Sequence, residues 1–381
     1  MSQRFCLFLS LLILFLGGCQ KGNQGAADAY ESLNESQSQV SELISADLLE
    51  NSGLRIGWQS KMYVNNGETI QQMFIRENYL FMQTDSNFLY CLDRDSGKFK
   101  YGVELARPGL PVVGPQYYGN EMLFMAGNEL IVVDIQFGTI TSKKQLHQIG
   151  NGAIFPPVKN DDYIYVSGTT NRLYAISVKE GVSDFEVSSK DGAAVNSILA
   201  DNETLVFSTV NGDIIRIEND KPKKVWRFQV GGIAAPLVRD DQWIYVSSLD
   251  RKLYKLSVND GTASGWSTNF LAGESLKHSP RIGEDTVYQN AGVKGLYAID
   301  KESGRKLWQL KGGFDLLSEE GSRTYVISKP SKLIAMDNVK GKKLFTINIS
   351  DVSAHAVNTD DSTIYLASDD GRVVSIVRDE F

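Results

Sequence analysis

The alternation of apolar and polar positions is clearest between residues 286 and 313, TVYQNAGVKGLYAIDKESGRKLWQLKGG. Thr286–Gln289 is a β-rich run, and Gly295–Asp300 alternates apolar and polar positions. Lys301–Gly304 has the composition of a tight turn, and Lys306–Leu310 is a third strand carrying Trp308. A period of two over short runs, punctuated by Gly, Asp and Ser, predicts an antiparallel meander. Three such strands cannot bury both faces unaided. The pattern therefore calls for copies of itself.

Copies occur throughout the chain. The strand GLYAID (295–300) has counterparts FLYCLD (88–93), ELIVVD (129–134), RLYAIS (172–177), DIIRIE (213–218), KLYKLS (252–257), KLIAMD (332–337) and RVVSIV (372–377). Their second residues, Leu89, Leu130, Leu173, Ile214, Leu253, Leu296, Leu333 and Val373, are spaced by 41, 43, 41, 39, 43, 37 and 40. A period near 40 built only from short strands predicts an all-β, eight-bladed β-propeller with one four-stranded antiparallel sheet per blade.

The fifth repeat shows the expected unit. Gly232–Arg239 supplies small residues for an innermost strand, and Asp240-Asp241 turns the chain. Trp243–Ser247 and Leu253–Val258 are the middle strands, Asn259-Asp260-Gly261 turns again, and Trp266 marks the outer strand. Phe99, Phe185, Trp226, Trp308 and Phe345 fall near the same outer slot, whereas Thr139–Leu146 has no aromatic there. Packing between blades is the expected role of Trp58, Trp226, Trp266 and Trp308. The eighth repeat stops at Phe381 before any outer strand, and an unmatched strand, Leu54–Met62, precedes the first. The N-terminal strand around Trp58 is therefore expected to complete the last blade and close the ring.

The N-terminus changes the picture of where the protein works. Residues 1–18 hold Arg4, the apolar run Phe5–Leu16 and then Gly17-Gly18 ahead of Cys19, the features of a secretory signal peptide. Leu16-Gly17-Gly18-Cys19 resembles a bacterial lipobox, which implies cleavage before Cys19 and its acylation, hence a lipid anchor. Gln20 rather than Asp follows, which implies sorting to the periplasmic face of the outer membrane. Residues 19–57 read as a lipidated cysteine and polar tether, and 58–381 as the propeller. Within Tyr30–Leu49, the helical spacing of Leu33, Val40, Leu43, Ile44 and Leu48 predicts a short amphipathic helix.

Charge and cysteine content then narrow the chemistry. The net charge of −7 argues against nucleic acid as a partner. Cys6 leaves with the signal and Cys19 takes lipid, so Cys91 alone remains in the propeller and no internal disulfide is expected. Cys91 stands where other repeats have Ala175, Ala298 or Ala335, and reads as a small strand residue. Asp93-x-Asp95-x-Gly97 lacks the third oxygen ligand of a calcium loop and reads as a turn. His147, His278 and His355 are too dispersed for a zinc motif. His278 and His355 fall at or near the starts of innermost strands, which makes them candidates for the channel mouth. No metal site and no catalytic motif is expected.

The segment Ala298-x-Asp300-x-x-Ser303-Gly304-x-x-x-Trp308 resembles the tryptophan-docking motif of pyrroloquinoline-quinone (PQQ)-type propellers. In that family the acidic residue and the glycine shape a turn and the Trp docks on a neighbouring blade. Eight-bladed members include PQQ- and calcium-dependent dehydrogenases and cofactor-free BamB-type lipoproteins that serve as scaffolds in outer-membrane protein assembly. With one domain cysteine and repeat intervals that leave no room for long inserted loops, the chain looks closer to the second group. The resemblance implies a monomeric, non-enzymatic scaffold without PQQ, binding envelope proteins such as β-barrel assembly components. A PQQ-dependent oxidoreductase or other ligand-binding quinoprotein relative is one alternative. An envelope glycan binder using aromatics such as Tyr117-Tyr118 is another.

Overall fold

The computed structural model describes residues 41–65, 67–329 and 331–379. Cys19 and most of the predicted helix lie outside these residues. Eight four-stranded antiparallel sheets follow one another around a ring. Seven are formed by four consecutive strands; blade six, for example, is Arg281–Ile282, Thr286–Asn290, Leu296–Asp300 and Lys306–Leu310. Blade eight takes Ala354–Ala356, Ile364–Ala367 and Arg372–Arg378 from the C-terminal end and Leu54–Lys61 from the N-terminal end. That last pairing runs from Leu54↔Arg378 to Lys61↔Arg372, so the ring is closed by hydrogen bonds between the two ends of the chain. The strands wind outward from the axis in chain order. One rim therefore carries the turns between first and second and between third and fourth strands. The opposite rim carries the second-to-third turns and the blade-to-blade connections.

A side-chain triplet across the sheets explains why the third strand is so regular in sequence. Tyr288, Ala298 and Trp308 lie side by side in register, as do Tyr325, Ala335 and Phe345 and Tyr365, Ser375 and Trp58. The small central residue leaves room for the two flanking rings, whose centroids are 6.0 Å apart in blade six and 6.4 Å in blade seven. Cys91 fills the same central position between Phe81 and Tyr101. It is fully buried, and burial pushes its thiol up to about 12. Core clusters lie between successive blades rather than in one central mass, because each blade has two apolar faces and only a neighbour can cover them.

Three details differ from the sequence expectation. In blade five, Trp266 precedes the outer strand, which is only Phe270–Leu271. Here Lys255 occupies the small-residue position, opposite Tyr245. Its ammonium lies 4.9 Å from the Trp243 ring centroid and 5.9 Å from that of Trp266, and it donates to the Lys301 carbonyl at 2.7 Å. The outer ladder of this blade is confined to Lys252↔Leu271 and Leu253↔Phe270. The innermost strand of that blade is also short, Val238–Asp240, with one isolated bridge at Ala234↔Ser248 ahead of it. Before the propeller, the described helix is a single turn, Ala46–Glu50. Leu43, Ile44 and Leu49 are buried against blades seven and eight, whereas Leu48 is exposed.

Candidate functional site

Two sets of candidate residues occupy distinct places: the joints between blades and the wall of the central channel. At the joints, an outer-strand indole of one blade meets a turn of the next. Trp58 donates through Nε1 to the Arg94 carbonyl at 2.9 Å, Trp226 to Val258 at 2.8 Å and Trp266 to Lys301 at 3.1 Å. Trp308 donates to Asn338 Oδ1 at 2.7 Å. Asp300 holds the receiving turn in blade six: its carboxylate accepts from the Ser303 amide at 2.7 Å and from the Ser303 hydroxyl. These hydrogen bonds hold the Asp300 carboxyl below its ordinary range. Gly304 follows with φ +73°, and a Cβ there would sit 2.6 Å from the Trp266 ring. The indole can lie flat on the turn only because that atom is missing.

The motif thus spans two joints. Gly304 receives Trp266 from blade five, while Trp308 docks on blade seven. Where the outer strand lacks an indole, other side chains take the place. Tyr101 covers Gly138 and donates to the Ile135 carbonyl, and Lys144 Nζ reaches the Gly181 carbonyl at 2.7 Å. The closing joint has an additional clamp that the sequence pattern did not reveal. The buried Arg94 guanidinium meets Asp361 at 2.6 Å, Asp360 at 3.2 Å and Asn358 at 3.1 Å. Arg94 follows Asp93, at the position held by Ile135 and Lys301 in other blades; an unmatched arginine in that slot was the available signal.

The channel wall brings three ionisable side chains together. Arg281, Asp315 and His355 lie on the innermost strands of blades six, seven and eight. Arg281 grips Asp315 with two bonds, Nε to Oδ1 at 3.0 Å and Nη2 to Oδ2 at 2.8 Å. His355 Nε2 lies 3.3 Å from Asp315 Oδ2. These partners hold the Asp315 carboxyl well below the usual carboxylate range despite its burial. The three line one side of a channel cavity of about 570 Å³ that also has Gln71, Phe74 and Tyr117 in its wall. His278 lies at the blade-to-blade rim, its ring 6.3 Å from that of Phe314, and lines a small hollow together with Arg281 and Asp315. The two candidate histidines border different cavities that share Arg281 and Asp315.

This donor set does not fit a calcium–quinone centre. Asp315 is the only carboxylate in the wall of that cavity, and both its oxygens are engaged by Arg281 and His355. Among the described residues, no group of three or more His, Cys, Asp or Glu is arranged to hold a metal ion. Cys91 is the free cysteine among them and is buried within blade one, away from the channel.

A family model described as "Outer membrane protein assembly factor BamB" matches residues 126–239 and 210–318, together half of the chain. The chain belongs to this PQQ-like repeat family. Among solved structures, BamB from Moraxella catarrhalis superposes with a TM-score of 0.63 at 16% identity, covering 85% of this chain and 97% of that one. A computationally designed protein, Ika8, gives the same TM-score at 11% identity, covering 81% of this chain and 96% of that one. At such identities these two likenesses concern the fold alone. A comparison with curated proteins finds no match.

Proposed function

We propose that this chain is a non-enzymatic, lipid-anchored scaffold of the cell envelope that binds protein partners in outer-membrane protein assembly. The family match over residues 126–318 carries the reading. The lipobox-like Leu16–Cys19 supports anchoring, and Gln20 supports placement at the periplasmic face of the outer membrane. The propeller offers two loop-bearing rims for partners. The internally paired Arg281, Asp315 and His355 support a role without PQQ.

Affinity capture of the native, acylated chain from detergent-solubilised envelopes tests the reading. The expected result is co-purification of β-barrel assembly components, with loss of membrane association in Cys19→Ala. Recovery of none of them, or dye-linked alcohol oxidation on adding PQQ and calcium, would overturn it.

A further inference from the structure

The two rims of the ring differ sharply in charge over blades five to seven. The turns between first and second strands carry Asp240-Asp241, Glu284-Asp285 and Glu319-Glu320. Some cations on that rim are paired, Lys301 with Asp240 at 2.8 Å, Arg378 with Glu320 at 3.4 Å and Arg239 with Asp201, while Arg305, Lys306, Lys342 and Lys343 stand there among Asp260, Asp300, Glu302 and Asp337. The opposite rim carries Arg251, Lys252, Lys277, Lys294, Lys311 and Lys332, all exposed. Among the described residues none of these six has a carboxylate partner. Three acidic groups, Asp250, Glu274 and Asp351, lie on this arc, none within ion-pair distance of the six; Asp351 faces Arg372 at 3.7 Å. Asp250 accepts from the Gly231 amide at 3.0 Å and from the Tyr254 hydroxyl, and Glu274 accepts from the Ser275 amide at 3.2 Å.

Single apolar side chains project among these cations. Val293 is 79% exposed, Leu271 66%, Ile233 44% and Leu249 37%. Contacts show that the arc is continuous across blades. The Leu249 amide donates to the Ile233 carbonyl at 3.0 Å, and the Ser275 hydroxyl to the Leu249 carbonyl at 3.0 Å. Glu274, Lys277, His278 and Val293 surround one small hollow of about 190 Å³. His278 packs on Phe314, and Lys329 Nζ lies 4.0 Å over the same ring.

We propose that this rim of blades five to seven is a membrane-contact surface that seats the propeller on an anionic lipid leaflet. Unpaired cations interleaved with isolated apolar tips match a phospholipid interface, where phosphates meet the ammonium groups and the tips enter the headgroup layer. The start of the propeller agrees. The Glu42 carbonyl accepts from Arg372 Nη1 at 3.1 Å, and Arg372 begins the third strand of blade eight on this same rim. From Cys19 to Ser41 is 41 − 19 = 22 residues, which span up to about 75 Å when extended. An anchor at Cys19 therefore leaves the rim free to reach the leaflet. The inference rests on the envelope placement proposed above and adds which face meets the lipid.

The test uses the full-length chain with an environment-sensitive thiol probe placed at Val293→Cys or, on the opposite rim, at Glu284→Cys. Cys91 is buried and does not compete for the label. The probes are read in vesicles of phosphatidylglycerol with phosphatidylcholine and in phosphatidylcholine alone. Blue-shifted emission at position 293 but not at 284, reversed by salt and absent without the anionic lipid, is expected. The shift should be lost in the fourfold variant Arg251→Glu, Lys252→Glu, Lys277→Glu, Lys294→Glu, whose changes are all at exposed positions. Equal emission from both positions would overturn the proposal. So would a shift at 293 that needs an added acidic protein and not lipid. Flotation of the unmodified chain on neutral vesicles tests the anchor separately. If flotation fails, the probes are read after adding preformed vesicles, so anchor and surface contact are judged independently.

Discussion

Replacing Gly304 by alanine separates a docking glycine from an ordinary turn glycine. Gly304 has φ +73°, and an added Cβ would stand 2.6 Å from the Trp266 ring. Gly321, in the turn between the first two strands of blade seven, has φ +53° with nothing within 4 Å of an added Cβ. Alanine in the left-handed region costs about 1–2 kcal/mol at either position. Only at Gly304 must the indole also retreat, by about 1 Å to restore carbon–carbon contact at 3.5–4.0 Å. Trp266 is 5% exposed and held by its bond to Lys301, so that retreat is an overpacking event costing about 1–3 kcal/mol more. Gly304→Ala should therefore destabilise by about 2–5 kcal/mol and Gly321→Ala by about 1–2 kcal/mol. Equilibrium denaturation in guanidinium, followed by tryptophan fluorescence and circular dichroism, measures both. In a Trp266→Ala background the additional cost at Gly304 should vanish, leaving a coupling energy of about 1–3 kcal/mol in the double-mutant cycle. Equal costs for the two glycines, or a coupling below about 0.5 kcal/mol, would refute the docking argument.

Two further outcomes follow from the buried charges. Arg94→Ala removes the cation that half-exposed Asp361 and exposed Asp360 share at the closing joint; unfolding midpoints should report a loss of about 1.5–3 kcal/mol, the range for hydrogen bonds to a charged group, whereas Arg323→Ala, with no ion pair among the described residues, should change little. Asp315, whose carboxyl is held low by His355 and Arg281, contributes stability that is complete above its unfolded value near 3.9 and is lost as pH falls toward the lower native value; an acid titration of unfolding should show a shallower decline below about pH 4 in Asp315→Asn than in the parent chain.

The architecture was legible in the sequence because a propeller repeats one local problem eight times. In blades one, three, six, seven and eight the third strand sets a small residue between two aromatic positions, so Ala175, Ala298 and Ala335 recur at the repeat interval. The joint residues were legible for a related reason. An Asp-led turn with a glycine at its end, as in Asp300–Gly304, is a local backbone requirement that leaves a local signature. Strand closure at Leu54–Lys61 was readable from an unmatched strand at one end and a missing one at the other.

What stayed hidden depended on which turns meet around the ring. Arg94 and Asp361 are separated by 361 − 94 = 267 residues, and only circular closure brings them together. Arg281, Asp315 and His355 look unrelated in sequence. They converge because innermost strands of successive blades stand side by side at the axis. Lys255 also gave no warning of its contact with the Trp266 ring or its bond to the Lys301 carbonyl of the next blade. The sequence by itself determined the repeat, its strands and its joint residues, because those are set by local periodicity and turn chemistry. The tertiary structure decided which charges are paired inside the ring and which stand unpaired at its rims, because pairing depends on distances that only the closed ring sets.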